Sequence, residues 1–311
     1  MNMTPEQIDN LVRKLSNKEG FVDYGAAKYE KLEDEIYNLR NYINLGYHAD
    51  MQYLVKNISL REDPSLLLEG VKSILCFLAP YKQSLIQSES LPKIASYAYG
   101  TDYHKVVRDK LYNICNILKE SIPDVKYRVF CDSAPLLERA WAARAGLGFI
   151  GKSTFLISKR YGLNTIIGVV LLDREVAYGE KGKDSCGTCT RCIDACPSGA
   201  LVSPRMLDAR RCISYQTIES PKMKLEEDYQ VDKRNWIFGC DICLNACPWA
   251  SKGEHTTWDS FKPLKHGQDE RLITEMSNEE WISMDEESFS KWFSDSPLMR
   301  AGLNKIKDNI K

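Results

Sequence analysis

Residues 186–197 read CGTCTRCIDACP and decide the fold of the second half of the chain. The four cysteines are separated by two, two and three residues, and Pro197 follows the last of them. Three thiolates at this spacing can surround one 4Fe–4S cube, whereas the fourth lies on a helical turn that points towards a second cluster. The segment therefore predicts a small domain that holds iron–sulfur clusters by cysteine thiolates.

A second, looser set of thiols follows the first, and Pro248 comes directly after its last member. An insertion has moved its first cysteine far upstream of the other three. If a pseudo-twofold axis relates the two sets, the fourth thiol of each set ligates the cluster of the other. This crossing assigns one 4Fe–4S cluster to Cys186, Cys189, Cys192 and Cys247, and the other to Cys196, Cys212, Cys240 and Cys243.

Zinc is the alternative to the clusters, because pairs of Cys-x2-Cys thiols also hold Zn²⁺ in tetrahedral sites. Zinc leaves the two Cys-Pro endings and the regular spacing unexplained, so we favour two clusters. Two neighbouring clusters transfer single electrons, but they do not identify a substrate. A two-cluster ferredoxin-type electron-transfer protein, or an RNA-binding module whose clusters serve only folding, stays open at this point.

The composition is that of a globular chain of 311 residues, 43% of them hydrophobic, with 42 Lys and Arg against 43 Asp and Glu. This length favours about two domains with cores of their own, and the hydrophobic content excludes disorder as the main state. The balanced charge creates no overall field for a polyanion. Eight of the 11 cysteines lie between Cys186 and Cys247, which in a reducing compartment favours metal ligands over disulfides.

The N-terminus is typical of a helix, because Thr4 and Pro5 form a cap and first turn before an amphipathic run. A secretory signal would need a charged and then an apolar stretch. The longest apolar run, residues 166–172, is far shorter than the roughly 20 residues of a membrane-spanning helix. We therefore expect a cytoplasmic protein with no membrane partner.

Residues 1–177 alternate between extended and helical patterns, which predicts an α/β (α+β) domain with mixed strands. Strands are expected at residues 71–80 and 125–131, and helices at 102–121 and 135–147. A hairpin is expected to join residues 154–158 to residues 165–172. Closely spaced glycines and cysteines then mark a ferredoxin-like domain at 178–250. Residues 251–311 should be a short helical segment that packs on the body, with no long helical-repeat extension.

Several motifs resemble one enzyme family. Residues 131–139 read CDSAPLLER, residues 144–154 read RAGLGFIGKST, and residues 97–104 read YAYGTDYH. In this order, together with GYH at 46–48, they are similar to the signature of the epoxyqueuosine reductases. The similarity spans about residues 40 to 250.

The resemblance implies a cobalamin-dependent enzyme that reduces epoxyqueuosine to queuosine at the wobble position of tRNA anticodons. It implies a first domain like that of reductive dehalogenases, two 4Fe–4S clusters that feed it electrons, and an external low-potential electron donor. The partner would be the anticodon stem-loop, and we expect a monomer. A corrinoid reductive dehalogenase-like oxidoreductase is the alternative within the same cofactor class.

Asp132 is the candidate proton donor, because it follows a predicted strand and lies in the family motif. An ordinary aspartate is ionised at neutral pH, so this role predicts a pKa raised by burial against an apolar wall or the corrin. A helix cap near Pro135 is the alternative role. The resemblance favours catalysis.

Other candidates are weaker. The cobalamin pocket is expected to include Tyr103, His104, Lys152, Ser153, Thr154 and Ser214. The pattern Asp102-x-His104-x-x-Val107 lacks the glycine of the loop that places histidine beneath cobalt, so we expect base-off cobalamin without a histidine ligand. Basic side chains proposed for tRNA phosphates are Arg139, Arg144, Lys159 and Arg160.

Overall fold

The computed structural model describes residues 3–221, 227–267 and 270–310. Its first helix begins as expected: Thr4 accepts the N–H of Gln7 and Gln7 returns a side-chain bond, which forms a capping box. The helices are α1 (Pro5–Glu19), α2 (Glu33–Asn44), α3 (Gln52–Val55), α4 (Ile58–Glu62), α5 (Tyr103–Ser121), α6 (Glu138–Arg144), α7 (Arg191–Asp194), α8 (Ile213–Ile218), α9 (Ile242–Asn245), α10 (Asn278–Ser283), α11 (Glu286–Phe293) and α12 (Gly302–Ile310).

The strands are short except for two that cross the centre of the first region. They are β1 (Asp23–Lys28), β2 (Ser73–Pro80), β3 (Lys93–Ile94), β4 (Tyr127–Phe130), β5 (Phe149–Ile150), β6 (Leu156–Ile157), β7 (Thr165–Leu172), β8 (Leu201–Ser203), β9 (Met206–Leu207), β10 (Trp236–Phe238), β11 (Lys265–His266) and β12 (Arg271–Leu272).

The central sheet has the order β1-β2-β7-β4, and every pair in it is antiparallel. The expectation of mixed strands in this sheet is therefore wrong; a parallel pair occurs outside it, between β3 and β10. Strands β2, β4 and helices α5 and α6 lie within the segments predicted for them. An α+β arrangement is the accurate description.

The predicted hairpin is also wrong. Strand β6 pairs with β5, and Ser158 forms only an isolated bridge with Gly162. Strand β7 instead lies between β2 and β4, with Val169 opposite Cys76 on one side and Phe130 on the other. The second half of β7 is wholly buried, and a buried strand needs hydrogen-bonding partners on both edges.

Helices cover both faces of the sheet, following the alternation of side chains along β2. Phe77 packs on one face with Leu111 of α5, and Ile74 packs on the other with Trp141 of α6. Helix α5 lies directly over Gly168, where a Cβ atom would come within 2.8 Å of Leu111 and Val107. This close packing fixes the N-terminal end of α5, where Tyr103 and His104 lie.

The C-terminal segment packs on both earlier regions. Trp281 and Phe293 share a buried cluster with Ile94 and with Phe238 of β10, and α12 lies against β10 and α8. The backbone N–H of Asp102 donates to the carbonyl of Asp295 at 2.6 Å, so the segment also supports the start of α5. The boundaries at 177 and 250 stay predictions. Within the described ranges, no helix has the length and apolar character to cross a membrane.

Candidate active site

The first group of interacting thiols joins the two ends of the cluster region. Burial raises the pKa of Cys192, and the nearby thiols of Cys247 and Cys186 raise it further. Burial likewise raises the pKa of Cys247, with contributions from Cys186 and Cys189. The structure thus brings Cys247 to the loop that carries the first three cysteines.

The second group contains the remaining four cysteines of the region. Burial raises the pKa of Cys240 to about 12, and Cys212 and Cys196 add to the shift. Burial also raises the pKa of Cys243, and the same two thiols and Cys240 contribute. The thiols that influence each of these cysteines therefore belong to the same group as that cysteine.

Backbone N–H groups point at several of these sulfurs. Cys212 is the N-cap of α8, and the N–H groups of Ser214 and Tyr215 act against the effect of burial by lowering the pKa of Cys212. Trp249 and Ala250 act in the same way on Cys247. Such N–H bonds favour the thiolate, the form that ligates iron, and influence the reduction potential of a bound cluster.

Within the part of the chain that the structure describes, no three His, Cys, Asp or Glu side chains converge on a position for a single metal ion. A single zinc ion takes all its ligands at about 2.0 to 2.3 Å. A 4Fe–4S cube instead takes one thiolate at each of four iron corners.

Asp132 lies in a tight loop between β4 and α6. Its φ is +59°, a left-handed conformation that aspartate tolerates better than most residues. Its backbone N–H donates to Oε1 of Glu138 at 2.7 Å. The Glu138 side chain thus holds the backbone of the loop at Asp132.

The Asp132 carboxylate faces the first turn of α5. The hydroxyl of Tyr103 donates to Oδ2 of Asp132 at 2.5 Å, and Nε2 of His104 lies 3.4 Å from the same oxygen. The other ring nitrogen, Nδ1 of His104, lies 2.7 Å from Oδ1 of Asp102. One imidazole therefore lies between two carboxylates.

The ionisation of Asp132 differs from the prediction. Burial alone would raise the pKa of Asp132, but the hydrogen bonds from His104 and Tyr103 and the charges of His104 and Arg300 outweigh it and lower the pKa. Burial would lower the pKa of His104, yet its bonds to Asp102 and Asp132 raise it to about 9. At neutral pH, Asp132 is a carboxylate and the labile proton resides on His104.

Glu138 carries a second proton close to Asp132. Burial raises the pKa of Glu138 to about 8, and the charge of Asp132 adds to this shift. The Glu138 carboxyl is therefore mostly protonated at neutral pH. Glu138 was not predicted as a site residue, although it lies within the CDSAPLLER motif.

These groups lie in an open recess of the surface. The Asp132 side chain is 59% exposed, yet burial by the surrounding protein is the largest single influence on its pKa. Arg139 is also exposed, and burial lowers its pKa. A side chain can be both open to solvent and surrounded by protein where it lines a concave surface. We call the following residues the Asp132 recess: Tyr53, Tyr97, Tyr103, His104, Asp132, Glu138, Arg139 and Arg300.

Distant parts of the chain contribute to the recess. Arg300, from the C-terminal segment, forms a 2.8 Å ion pair with Glu219 and interacts with Asp132 and Tyr53. Tyr97 packs edge-on against Tyr103 with ring centroids 5.6 Å apart. Tyr97 lies in the YAYGTDYH motif, whereas none of the quoted motifs contains Arg300.

The recess adjoins the second thiol group. Burial raises the pKa of Tyr42 and the thiol of Cys212 adds to the shift, whereas Arg139 of the recess acts in the opposite direction. Tyr42 therefore lies within electrostatic reach of both Arg139 and Cys212.

The glycine-containing turn after α6 contacts both the first cysteine loop and the recess. Lys152 donates to the carbonyls of Gly187 and Cys189 at 2.8 and 2.9 Å, so it braces the first cysteine loop rather than the recess. Ser153 is only 3% exposed. Thr154 accepts bonds to its carbonyl and hydroxyl from Arg139 at 2.6 and 3.2 Å, which links the turn to the recess.

The basic residues predicted to contact tRNA lie in different surroundings. Arg144 is ion-paired at 2.5 Å with both Glu30 and Glu35, so its charge is already neutralised and we withdraw it from the tRNA contacts. Lys159 and Arg160 are exposed after β6. Arg139 belongs to the recess.

A separate cavity of about 330 Å³ lies in the C-terminal segment, beside His266 and Trp292. It contains none of the predicted site residues. We therefore place the candidate active site at the Asp132 recess, where ionisable groups with shifted pKa values converge.

Comparisons with known proteins agree with this geometry. A family model described as a 4Fe-4S double cluster binding domain matches residues 185–250. A second, described as Epoxyqueuosine reductase QueG, DUF1730, matches residues 61–133. The first region contains all eight clustered cysteines, and the second contains Asp132.

Whole-chain relatives and solved structures give the same result. The epoxyqueuosine reductase of Cyclobacterium marinum is 39% identical over 99% of this chain and 97% of its own length. An epoxyqueuosine reductase solved with an epoxyqueuosine-modified tRNA-Tyr stem-loop is 25% identical, with a TM-score of 0.84, over 98% of this chain and 80% of that one. The Bacillus subtilis enzyme, solved with its catalytic aspartate loop swung out of the active site, has a TM-score of 0.85 at 25% identity and the same coverage. The chain belongs to the epoxyqueuosine reductase family of oxidoreductases.

Proposed function

We propose that the protein reduces the epoxide of epoxyqueuosine in the anticodon of tRNA and so forms queuosine. The observation that carries the proposal is that Arg139 of the Asp132 recess and Cys212 of the second thiol group both act on the pKa of one side chain, Tyr42. A reductive site needs a proton donor and an electron supply within reach of one substrate. The recess combines the two.

The reaction sets the requirements of the site. Both C–O bonds of the epoxide break, a C=C bond forms, and the oxygen leaves as water after taking up two electrons and two protons. The electrons come from an external low-potential one-electron donor. The chain itself must hold the substrate oxygen near a proton donor.

Two 4Fe–4S clusters are proposed to deliver the electrons. The thiols group as Cys186, Cys189, Cys192 and Cys247, and as Cys196, Cys212, Cys240 and Cys243, through their mutual effects on pKa. This grouping supports the crossed assignment and gives each cube four thiolates. The group that contains Cys212 would hold the cluster next to the recess.

Cobalamin is proposed to occupy the recess, where, when bound, it supplies a strongly reducing cobalt. The recess fits a large polar cofactor because it is open and lined by tyrosine hydroxyls and by Arg139 and Arg300. Both ring nitrogens of His104 are engaged by Asp102 and Asp132. His104 is thus not available as a cobalt ligand, which supports the expectation of cobalamin without a histidine ligand.

Asp132 is proposed to pass protons to the substrate oxygen. Its carboxylate is exposed in the recess, accepts the hydroxyl of Tyr103 and lies 3.4 Å from Nε2 of His104, so a protonated His104 is its nearest source of a labile proton. The catalytic aspartate loop of the Bacillus subtilis relative swings out of the active site. A similar movement of the Asp132 loop would open the recess to the substrate.

The tRNA is proposed to reach the recess through its anticodon. Arg139 in the recess, and Lys159 and Arg160 at the surface, are candidate phosphate contacts. Such contacts release counterions, so we expect affinity to fall as salt rises. Exposed Tyr53 at the edge of the recess offers a ring on which an unstacked base could lie.

The proposal is tested by reconstituting the protein anaerobically with iron, sulfide and cobalamin. The holoprotein is mixed with a chemical reductant and an anticodon stem-loop that carries epoxyqueuosine, and the nucleosides are then analysed by mass spectrometry. We expect the modified nucleoside to lose the mass of one oxygen atom. An unchanged nucleoside in the presence of protein with both clusters and cobalamin bound would contradict the proposal.

A further inference from the structure

His104 is in position to handle protons but not to touch the substrate directly. Its ring is held from both sides, by Asp102 at 2.7 Å and by Asp132 at 3.4 Å. Its side chain is 19% exposed, whereas that of Asp132 is 59% exposed. Asp132 therefore lies closer to solvent than His104.

The stoichiometry of the proposed reaction asks for more than one carboxyl. Removing the epoxide oxygen as water consumes two protons in each turnover, whereas a carboxyl carries one. In the resting state Asp132 is ionised, since His104 and Tyr103 stabilise its charge against the effect of burial. Asp132 must therefore be loaded with a proton each time, and His104, which is protonated at neutral pH, is the neighbouring group that holds one.

We propose that His104 is a positioning residue that reloads Asp132 with protons during epoxide reduction. The proposal rests on the proposed function. In each cycle the imidazolium N–H at Nε2 breaks as an O–H bond forms on Asp132, and Asp132 then gives this proton to the substrate oxygen. The neutral imidazole takes its next proton from solvent. Asp102 stays ionised and holds the ring.

The other groups that face this pair are less suited to the task. Tyr103 donates to Asp132, but burial and the charge of Asp132 raise its pKa so far that it keeps its proton. Glu138 turns Oε1 towards the backbone N–H of Asp132, not towards its carboxylate. Further charges around the pair come from Arg108 beside Asp102, and from Arg139 and Arg300 around Asp132.

Asp102 raises the pKa of His104 and makes no contact with Asp132 among the described hydrogen bonds and ion pairs. Its carboxylate caps α5 by accepting the backbone N–H of His104 at 2.9 Å and also binds the ring. The substitution Asp102→Asn keeps a capping side chain but removes one negative charge from the imidazole. It should lower the pKa of His104 by roughly 1 to 3 units.

The first measurement is the titration of the four histidines by NMR in cluster-loaded protein labelled with ¹⁵N-histidine. We expect one histidine to titrate near pH 9, to be absent from His104→Gln, and to move to lower pH in Asp102→Asn. The substitution His255→Gln is the control, since His255 is exposed. A His104 signal that titrates at or below the ordinary value of about 6.5 would overturn the proposal.

The second measurement is the pH profile of epoxide reduction by the holoenzyme. In wild type the rate should fall above about pH 9, and in Asp102→Asn this fall should begin roughly 1 to 3 units lower. In His104→Gln the rate should drop at least about tenfold, approaching the factor typical of a general acid, and the fall near pH 9 should vanish. His255→Gln should match wild type.

The activity of wild type and of His104→Gln distinguishes a failure of the proposed function from a failure of the role of His104. If wild-type holoenzyme does not reduce the epoxide, the proposed function fails. If wild type does, but His104→Gln keeps the wild-type rate and pH profile, only the role of His104 fails. If His104→Gln does not fold, Asp102→Asn and the NMR titration decide the question.

Discussion

The hydroxyl of Tyr103 donates a 2.5 Å hydrogen bond to Oδ2 of Asp132, although 29 residues separate the two along the chain. The bond joins the start of α5 to the loop after β4. It holds the carboxylate in its ionised form together with His104. The acidity of the candidate active site therefore depends on helix packing, not on the local sequence around Asp132.

Removing this hydroxyl should make Asp132 a weaker acid. In Tyr103→Phe the carboxylate loses one stabilising bond, and a hydrogen bond to a charged group contributes roughly 1.5 to 3 kcal/mol, so the pKa of Asp132 should rise. An NMR titration of the aspartate carboxyls measures this. Tyr112→Phe, at an exposed tyrosine of the same helix, is the control, and an equal shift in both variants would count against the bond.

The crossed assignment of the clusters predicts which one a given thiol supports. Cys247→Ser should damage the cluster held by Cys186, Cys189 and Cys192, because serine is a poorer ligand for iron in this site. Electron paramagnetic resonance of the reduced protein should show the other cluster intact. Cys115→Ser, at a buried cysteine outside both groups, should leave both signals. Selective loss of the cluster that contains Cys212 would contradict the assignment.

Arg300 should influence Asp132 from the C-terminal segment. Its guanidinium favours the ionised carboxylate, so Arg300→Gln should raise the pKa of Asp132 in an NMR titration of the aspartate carboxyls. Because Arg300 is about half exposed, solvent screens the effect and we expect a small shift. Arg271→Gln provides the comparison, since Arg271 pairs with Glu280 elsewhere. An unchanged pKa of Asp132 would exclude this influence.

Stability should fall as the pH rises across the neutral range. The folded state raises the pKa of Glu138 to about 8 and that of His104 to about 9. Folding therefore favours the protonated forms, and this contribution is full below the unfolded pKa of each group and is lost as the pH rises through the folded pKa. Tm of the cluster-loaded protein should decrease between about pH 6 and pH 9.

Glu138→Gln separates the two contributions. The uncharged amide does not titrate, so the decrease in Tm between the same two pH values should be smaller in this variant. The exposed Glu287→Gln should behave like wild type. A decrease in Glu138→Gln as large as that of wild type would show that Glu138 is not protonated in the fold.

The cysteine groups were predictable because their spacing is local. Two residues between thiols place them around one cube whatever the rest of the chain does, and the Cys-Pro endings mark the equivalent positions in both sets. The position of Asp132 at a strand end followed from the apolar run before it. The helical periodicity of α5 likewise predicted its bounds to within a residue or two.

Features that depend on distant contacts were not predictable. The antiparallel order of the central sheet depends on which buried edges meet, and the sequence of β7 does not encode its partners β2 and β4. The predicted rise in the pKa of Asp132 was wrong because Tyr103 and His104 reach it from another helix. Arg144 was a candidate tRNA contact by sequence, but it pairs with Glu30 and Glu35, which come from a distant part of the chain.

The most direct test of the account compares Asp132→Asn with wild type in fully reconstituted protein. Asparagine also tolerates the left-handed backbone at this position, so both clusters, bound cobalamin and tRNA affinity should be retained. Asp109→Asn, at an exposed position of α5, is the control. We predict that Asp132→Asn reduces epoxyqueuosine about 10²- to 10⁴-fold more slowly than wild type, whereas a near-normal rate would contradict the central role of Asp132.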